Sequence, residues 1–548
     1  MTGHPSVTTR TLLALLVVAP ISRPATAQPS EQVEFADQGW TADHRREAYR
    51  VPPGSRLIPY DWFVALEQPF DDQPFGNRAF LERFRLLWDT PDPVGNPDGL
   101  PLGFVRDPAQ DGQVYVGITC AACHTSQVEY RRQKLRLDGG PGLIDYLPLV
   151  ESLADGLRAA SQSEAKWSRF AAKVLGPRNT PERAAQLRRD VRDHSETLAG
   201  FAARNRSVRP AGFGRIDAFG MLANEVLGTA IGVPENYRAC AAPVAIPPLW
   251  GVARLDWVQW NGSVQSPAAR NLVEVMSGYG LLRVTGAGRD LGFETTAKLQ
   301  PLDRAWQLYG NLRPPAWPEG LLGKINADRA NRGAEVYRRE GCAKCHAARP
   351  PYPETAPNKL GKQFVQVVKV PLSEVKTDPS AATAFADRTA RPGRLALLLG
   401  GRGIVPGPEL FFTTAGAALQ TELTRLKLPE EELARLNGYR QPVLPTRDEL
   451  LSYRAAPLAG VWATAPYLHN GSVPSLYQLF LPPRQRAKTF YLGGREVDPK
   501  HVGFDTPARE GAFEFRTEDP GNLNAGHEYG TAITDEERWA LIEYLKTL

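Results

Sequence analysis

Cys120-Ala121-Ala122-Cys123-His124 and Cys342-Ala343-Lys344-Cys345-His346 decide how this chain is read. Each is a Cys-x-x-Cys-His run, the signature of covalent haem attachment. The two thiols add across the porphyrin vinyl groups, two intervening residues match the distance between the vinyls, and the next residue reaches the iron as proximal ligand. A zinc site needs four ligands gathered from motifs close together, whereas these runs lie far apart and each brings its own histidine. A redox dithiol has no use for a following histidine in both copies. The pair predicts two covalently bound haem c groups, held by Cys120 and Cys123 and by Cys342 and Cys345, with His124 and His346 on the irons.

Outward from the second motif, residues 328–340 have helical spacing, with Gly333 and Tyr337 four apart on one face. Thr534-Asp535-Glu536-Glu537 reads as an N-cap with an acidic first turn. Trp539, Leu541, Ile542, Tyr544 and Leu545 then form an apolar helical face. A glycine at 333 lets two such helices cross closely, as the first and last helices of a cytochrome c domain do. This predicts a C-terminal haem domain over 323–548, with an insertion at about 350–450 rich in proline and basic residues. Before the first motif, Val114-Tyr115-Val116 looks like a strand. After it, residues 127–130 and 135–137 suit a hairpin ending at Asp138-Gly139-Gly140. Helices are expected near 143–174, 180–206 and 214–228, and Trp250, Trp257 and Trp260 cluster beyond them. The expected fold is mainly α: an N-terminal haem domain over 28–322 and the C-terminal one, both cytochrome c-like, with long loops and a few short strands.

The length of 548 residues suits two or three domains. The 49 glycines and 48 prolines point to much loop. Arg10, the apolar run 12–21 and Ala25-Thr26-Ala27 read as a secretory signal, giving a mature chain from about Gln28. That run is too short to span a membrane, and no later segment is long enough. Haem attachment of this type takes place outside the bacterial cytoplasm, so a periplasmic or secreted protein is expected. Removing Arg10 and Arg23 takes the formal charge from +5 to +3, too weak to argue for nucleic acid. Of the five cysteines only Cys240 is left over, which excludes an intramolecular disulfide and suggests a buried, inert thiol.

The sixth iron positions decide function, because a filled position favours electron transfer and an open one admits oxygen or peroxide. Outside the motifs the chain offers His44, His194, His469, His501 and His527, with Met221 and Met276. His527, seven residues before Thr534, occupies the loop that supplies the sixth ligand in a cytochrome c domain, favouring a His346/His527 pair. His469, in Tyr467-Leu468-His469-Asn470-Gly471-Ser472, is the rival. His501 sits in a polar turn and reads as solvated. For the first haem, His194 lies in a charged helical stretch and reads as exposed. The distal side is therefore open or weakly filled, unless Met276 closes it.

These residues resemble the bacterial dihaem cytochrome c peroxidase superfamily, whose members carry an N-terminal peroxide-reactive haem and a C-terminal electron-transfer haem. The segment from Thr464 to Ser472, followed by Leu476, is similar to that family's Ala-Pro-Tyr-Met-His-Asp-Gly segment, which puts His469 among the residues expected at the haem. The family's methionine ligand precedes the last helix where His527 stands here. That departure implies bis-histidine ligation and a lower potential. Trp260-Asn261-Gly262-Ser263 resembles the family's Trp-Asp-Gly-Arg segment, whose tryptophan lies between the haems. The adjoining downstream segment covers the distal face of the first haem in the family. The resemblance thus implies Glu274 as the acid/base residue, with Asn271, Met276 and Tyr279 nearby, and Arg215 on a haem propionate. Size, the His/His pair and Leu57-Ile58-Pro59-Tyr60-Asp61-Trp62 look closest to the dihaem rubber oxygenases, which cleave polyisoprene with dioxygen.

The leading expectation is a peroxidase-like oxidoreductase. Peroxide would be reduced at the first haem, with Glu274 moving a proton from the inner to the outer oxygen. Electrons would come from the second haem by way of Trp260, and from a small cytochrome c or cupredoxin before that. The alternatives are an oxygenase acting on an apolar alkene, and a plain electron carrier. Related peroxidases hold a calcium ion between the haem domains, although no carboxylate cluster in this sequence places one.

Overall fold

The computed structural model describes residues 1–3, 33–89, 92–440 and 443–548, so Arg10, the apolar run 12–21 and the Ala25-Thr26-Ala27 boundary of the expected leader lie outside the described residues. Short strands frame the first motif: β1 (Val33–Phe35), β2 (Phe104–Pro108), β3 (Val114–Ile118), β4 (Thr125–Tyr130) and β5 (Gln133–Asp138). β2 and β3 pair antiparallel, β4 and β5 form the expected hairpin, and β1 lies parallel beside β5. The motif itself is one helical turn, α1 (Cys120–Cys123), between β3 and β4, with Thr119 as its N-cap. The strand-then-turn path aims both cysteines and the histidine into the same interior space.

Three helices follow, α2 (Tyr146–Gln162), α3 (Glu164–Leu175) and α4 (Pro181–Asn205). Leu149, Val150, Leu153 and Leu157 recur at helical spacing and bury against Leu187, Val191, Leu198 and Phe201. Next come α5 (Ala218–Asn224), running into a π-helical turn over Glu225–Ala230, then α6 (Pro267–Ser277) and α7 (Leu299–Gly310).

In the second half, α8 (Ala327–Arg339) leads into the second motif and α10 (Asp535–Leu545) closes the chain, with α9 (Gly407–Leu426) between them. Thr534 forms a full capping box with Glu537. α8 and α10 cross at Gly333, where an added Cβ would stand 1.9 Å from Ala540 O. Only glycine permits that approach. The expected insertion carries α9, which packs on α6 through a shared core that includes Leu272, Val273, Leu410, Phe411 and Ala415. That core runs across position 322/323, so the stretch at 350–450 roofs the first half of the chain. Among the described residues no helix is long and apolar enough to cross a membrane.

Candidate haem centre

Both motifs close in the same way. His124 N donates to Cys120 O at 2.8 Å, and His346 N to Cys342 O at 2.9 Å. His124 Nδ1 lies 2.8 Å from Pro247 O, and His346 Nδ1 lies 2.8 Å from Ala456 O. A carbonyl only accepts, so in each ring Nδ1 carries the proton and Nε2 keeps its lone pair for a metal. Burial lowers the pKa of both rings, His124 to about 4, and holds them neutral as ligands must be. Burial also pushes the thiols up, Cys123 to about 12 and Cys342 to about 11. That disfavours the free thiolate a redox dithiol would need.

The His346 cavity, about 370 Å³, is lined by Cys342, Cys345, His346 and His527 within mostly apolar walls. The rings of His346 and His527 face each other with centroids 6.4 Å apart. Two imidazoles sharing one metal, each nitrogen about 2 Å from it, stand with ring centres roughly 6 Å apart. His527 Nδ1 and Thr377 Oγ1 are buried there without a hydrogen-bond partner. The His527 loop is tightly set. Gly526 (φ 70°) lies where a Cβ would meet the Lys376 backbone at 2.2 Å, His527 itself is left-handed (φ 46°), and its N–H donates to Val375 O at 2.8 Å.

Buried Arg486, which the sequence reading missed, ties this loop down. Its Nη1 donates to Asn524 O (2.5 Å) and Gly526 O (2.9 Å), and its Nη2 to His527 O and Leu479 O (both 3.1 Å). Its Nε donates to Leu481 O at 3.0 Å. No local pattern marks one arginine in a basic stretch as a buried hub.

The His124 cavity, about 200 Å³, has no second histidine on its walls; Met221 is its one thioether. Asn271 and Glu274 reach it from α6. Gln259 Nε2 donates to Glu274 Oε1 at 2.5 Å, and Arg270 donates to Asn271 Oδ1 through Nε (3.0 Å) and Nη2 (2.8 Å). Arg215 lines the same cavity. Its Nη groups bond Ala211 O, Pro243 O and Asn522 Oδ1, while its Nε is buried and unpartnered. The Tyr146 hydroxyl on the same wall is equally unpartnered.

Trp260 is the one described residue that lines both cavities. Its Nε1 donates to Ala245 O at 2.9 Å, and Ala245 N donates to His469 O at 2.8 Å. His469 lines the His346 cavity but stacks on Tyr453, ring centroids 3.8 Å apart, while His527 is the histidine whose ring faces His346. Arg454, also unforeseen, lines the His346 cavity and donates from Nε to Gln259 O at 2.7 Å.

Other expectations change. α6 stops at Ser277, and a left-handed φ of 68° turns Tyr279 into the α2–α4 core against Phe201 and His194, so it does not line the cavity. Met276 is buried in the α6–α9 core, away from the cavity wall. His194 is half-buried rather than exposed, because its helix face turns inward and Nε2 meets Leu57 O at 2.9 Å. His501 is half-buried too, its Nδ1 2.5 Å from Asp498 Oδ2. Cys240 is fully buried, as expected. No group of three or more His, Cys, Asp or Glu side chains that could hold a metal ion occurs among the described residues, so the calcium ion has no such cluster to bind.

Two thiols beside a neutral imidazole at each motif, and orphaned donors on the cavity walls, suit haem c. The family described as RoxA-like, cytochrome c-like matches residues 452–491, the segment that supplies Ala456 O to His346 and also contains His469 and Arg486. "Uncharacterized protein y4iJ" of Sinorhizobium fredii (strain NBRC 101917 / NGR234) is 33% identical over 94% of this chain and 94% of its own length. "Uncharacterized protein y4iM" of the same strain is 26% identical over 55% of this chain and 64% of its own. The chain belongs to the family of its full-length relative y4iJ, and through its RoxA-like segment it is a cytochrome c-like protein with covalently bound haem c.

Proposed function

We propose that this chain is an exported, two-haem oxidoreductase of the oxygenase-like kind, which does its chemistry beside His124 and stores electrons between His346 and His527. The observation that carries this reading is a small apolar pocket, about 50 Å³, beside the His124 cavity. Phe219, Leu222, Gln259, Arg270 and Glu274 line both, and Phe385, Phe411 and Phe412 wall the far side. Aromatic walls beside the cavity suit an apolar organic group better than peroxide alone.

A haem held by Cys120, Cys123 and His124 would supply a redox-active iron able to activate dioxygen or peroxide, and one held by Cys342, Cys345, His346 and His527 would supply an electron store. The protein does the rest. Arg215 Nε and the Tyr146 hydroxyl, both unpartnered, would hold a haem carboxylate, Trp260 spans the two cavities, and the phenylalanines would exclude water from the substrate. Cleaving one carbon–carbon double bond with one dioxygen gives two carbonyl ends and consumes no net electrons. An electron store at His346 and His527 would therefore be needed to set the starting oxidation state and not at each turnover.

A second reading, peroxide reduction with electrons from a small cytochrome c or cupredoxin, is favoured by Glu274. Its carboxylate lines the cavity and can move a proton between two peroxide oxygens. Oxygen uptake with squalene, set beside peroxide-dependent oxidation of reduced cytochrome c, separates the two. The oxygenase reading expects dioxygen-dependent carbonyl products that survive Glu274→Gln. Peroxide turnover alone, abolished in Glu274→Gln, would overturn it.

A further inference from the structure

Three large apolar side chains stand out of the protein within one short loop: Leu397 is 72% exposed, Leu398 56% and Ile404 60%. The loop is built rather than loose. It closes on strands Thr389–Ala390 and Val405–Pro406, which pair antiparallel. Between them runs a 3₁₀ turn, Gly393–Leu399, in which Leu395 and Leu399 are buried in the α6–α9 core. Gly400 and Gly401, both left-handed, reverse the chain. The buried leucines thus hold the outward pair at the surface. Single exposed apolar residues are common, but a held cluster marks an interaction site.

Charge names the partner. Arg391, Arg394 and Arg402 lie in this loop, and no acid occurs from Arg391 to Pro408. Arg402 is paired with Glu409, and Arg394 donates to Gly286 O at 2.8 Å while remaining exposed. The adjoining turns add two exposed acids, Asp290 and Glu235, the latter followed by exposed Arg238. Leucines at the tip with arginines at the shoulder match an anionic lipid surface, where apolar groups enter the acyl boundary and cations meet headgroups.

We infer that the loop Gly393–Ile404 docks the protein on an anionic lipid surface. The loop feeds directly into α9, whose Phe411 and Phe412 wall the apolar pocket. Docking would therefore set the pocket beside the phase from which an apolar substrate is drawn. The inference rests on the apolar-substrate reading, but its test does not require turnover.

Full-length holoprotein is sedimented with vesicles of phosphatidylglycerol and phosphatidylcholine, and with phosphatidylcholine alone. Binding to the anionic vesicles is expected, weakened at least tenfold by the triple variant L397S/L398S/I404S. R391Q/R394Q should cost roughly fivefold per arginine on the anionic vesicles and little on the neutral ones. All these side chains are exposed, and an unchanged haem spectrum checks folding; L397S/L398S serves if the triple variant misfolds. No binding, or binding indifferent to the serine variants, overturns the inference. So does self-association that the serine variants abolish, which would give the patch to a second copy. Vesicle binding without alkene turnover leaves docking intact and sinks the functional reading instead.

Discussion

Replacing Arg486 with methionine keeps most of the side-chain volume and removes the guanidinium that joins five carbonyls. Three of those carbonyls, Asn524, Gly526 and His527, belong to the loop that presents His527. The other two, Leu479 and Leu481, anchor that loop to the body. No carboxylate bonds Arg486 among the described residues, and burial lowers its pKa to about 10, so carbonyl dipoles hold the charge, with Glu528 acting on it through space. A hydrogen bond from a charged donor is worth about 1.5–3 kcal/mol. Water recovers part of that at the freed carbonyls. Losing three loop bonds should then loosen the loop by about 2–4 kcal/mol, a shift of about 30- to 700-fold toward an unligated His527 at 1.4 kcal/mol per decade. The assay is carbon monoxide binding to the reduced holoprotein, with the low-spin absorption spectrum as a second readout. Wild type should bind one equivalent, at the His124 haem, and Arg486→Met should approach two while losing low-spin character. Arg486→Lys keeps the charge with fewer, unforked donors and should fall between them. One equivalent and an unchanged spectrum in a folded Arg486→Met protein would refute the reasoning.

Gly333→Ala puts a methyl 1.9 Å from Ala540 O and 2.5 Å from Ala540 C, atoms of a packed helix backbone that cannot step aside. Destabilisation at or above the upper end of about 1–3 kcal/mol is expected by thermal unfolding, and an unchanged midpoint would contradict the close crossing. Burial raises the Asp145 carboxyl to about 6, so the native state disfavours its charge and the cost grows as pH rises from the unfolded value of 3.8 through 6. Asp145 stands at the N-terminus of α2, whose dipole offsets part of that cost. Asp145→Asn should therefore stabilise by about 1–2 kcal/mol at pH 7.5 and by nothing near pH 3.5. Thiol titration of the unfolded holoprotein should find one reactive cysteine, Cys240, since the other four of the five are expected to be thioethers. Finding three would mean that only one haem is attached.

The features legible in the sequence are those whose chemistry is local. A Cys-x-x-Cys-His run, the Thr534–Glu537 capping box and a glycine facing an apolar helix each carry their meaning within a few residues. α9 was not legible because it is roofed on more than one side. Phe411, Thr414, Ala415, Ala418, Leu419 and Glu422 are all buried, so the polar stripe that marks a surface helix is blurred. Tyr279 was misplaced because the resemblance carried it along with Glu274 as one segment, whereas α6 ends at Ser277 and the left-handed backbone at 279 turns its ring away. His194 misled through composition, since its charged neighbours face solvent while its own ring turns to Trp62 and Leu57. Arg486 had no local signal at all, as its partners come from two separate segments.

The same division between local and non-local information explains why two nearly identical motifs end in different surroundings. Each closes on itself by the same short-range bond, His N to Cys O, and each has its Nδ1 held by a carbonyl from a distant segment, Pro247 for His124 and Ala456 for His346. The opposite side comes from elsewhere in the chain: the Arg486-anchored loop beside His346, and α6 with its phenylalanine-walled extension beside His124. The link between the two cavities obeys yet another rule. It passes through the peptide groups of Ala245, whose oxygen takes the Trp260 indole N–H and whose own N–H reaches His469 O. Both bonds at Ala245 use backbone atoms, so side-chain changes there leave the bridge intact and only proline would remove its donor. The specificity of the connection therefore rests on Trp260, the one side chain that touches both cavities and closes the bridge from the His124 side.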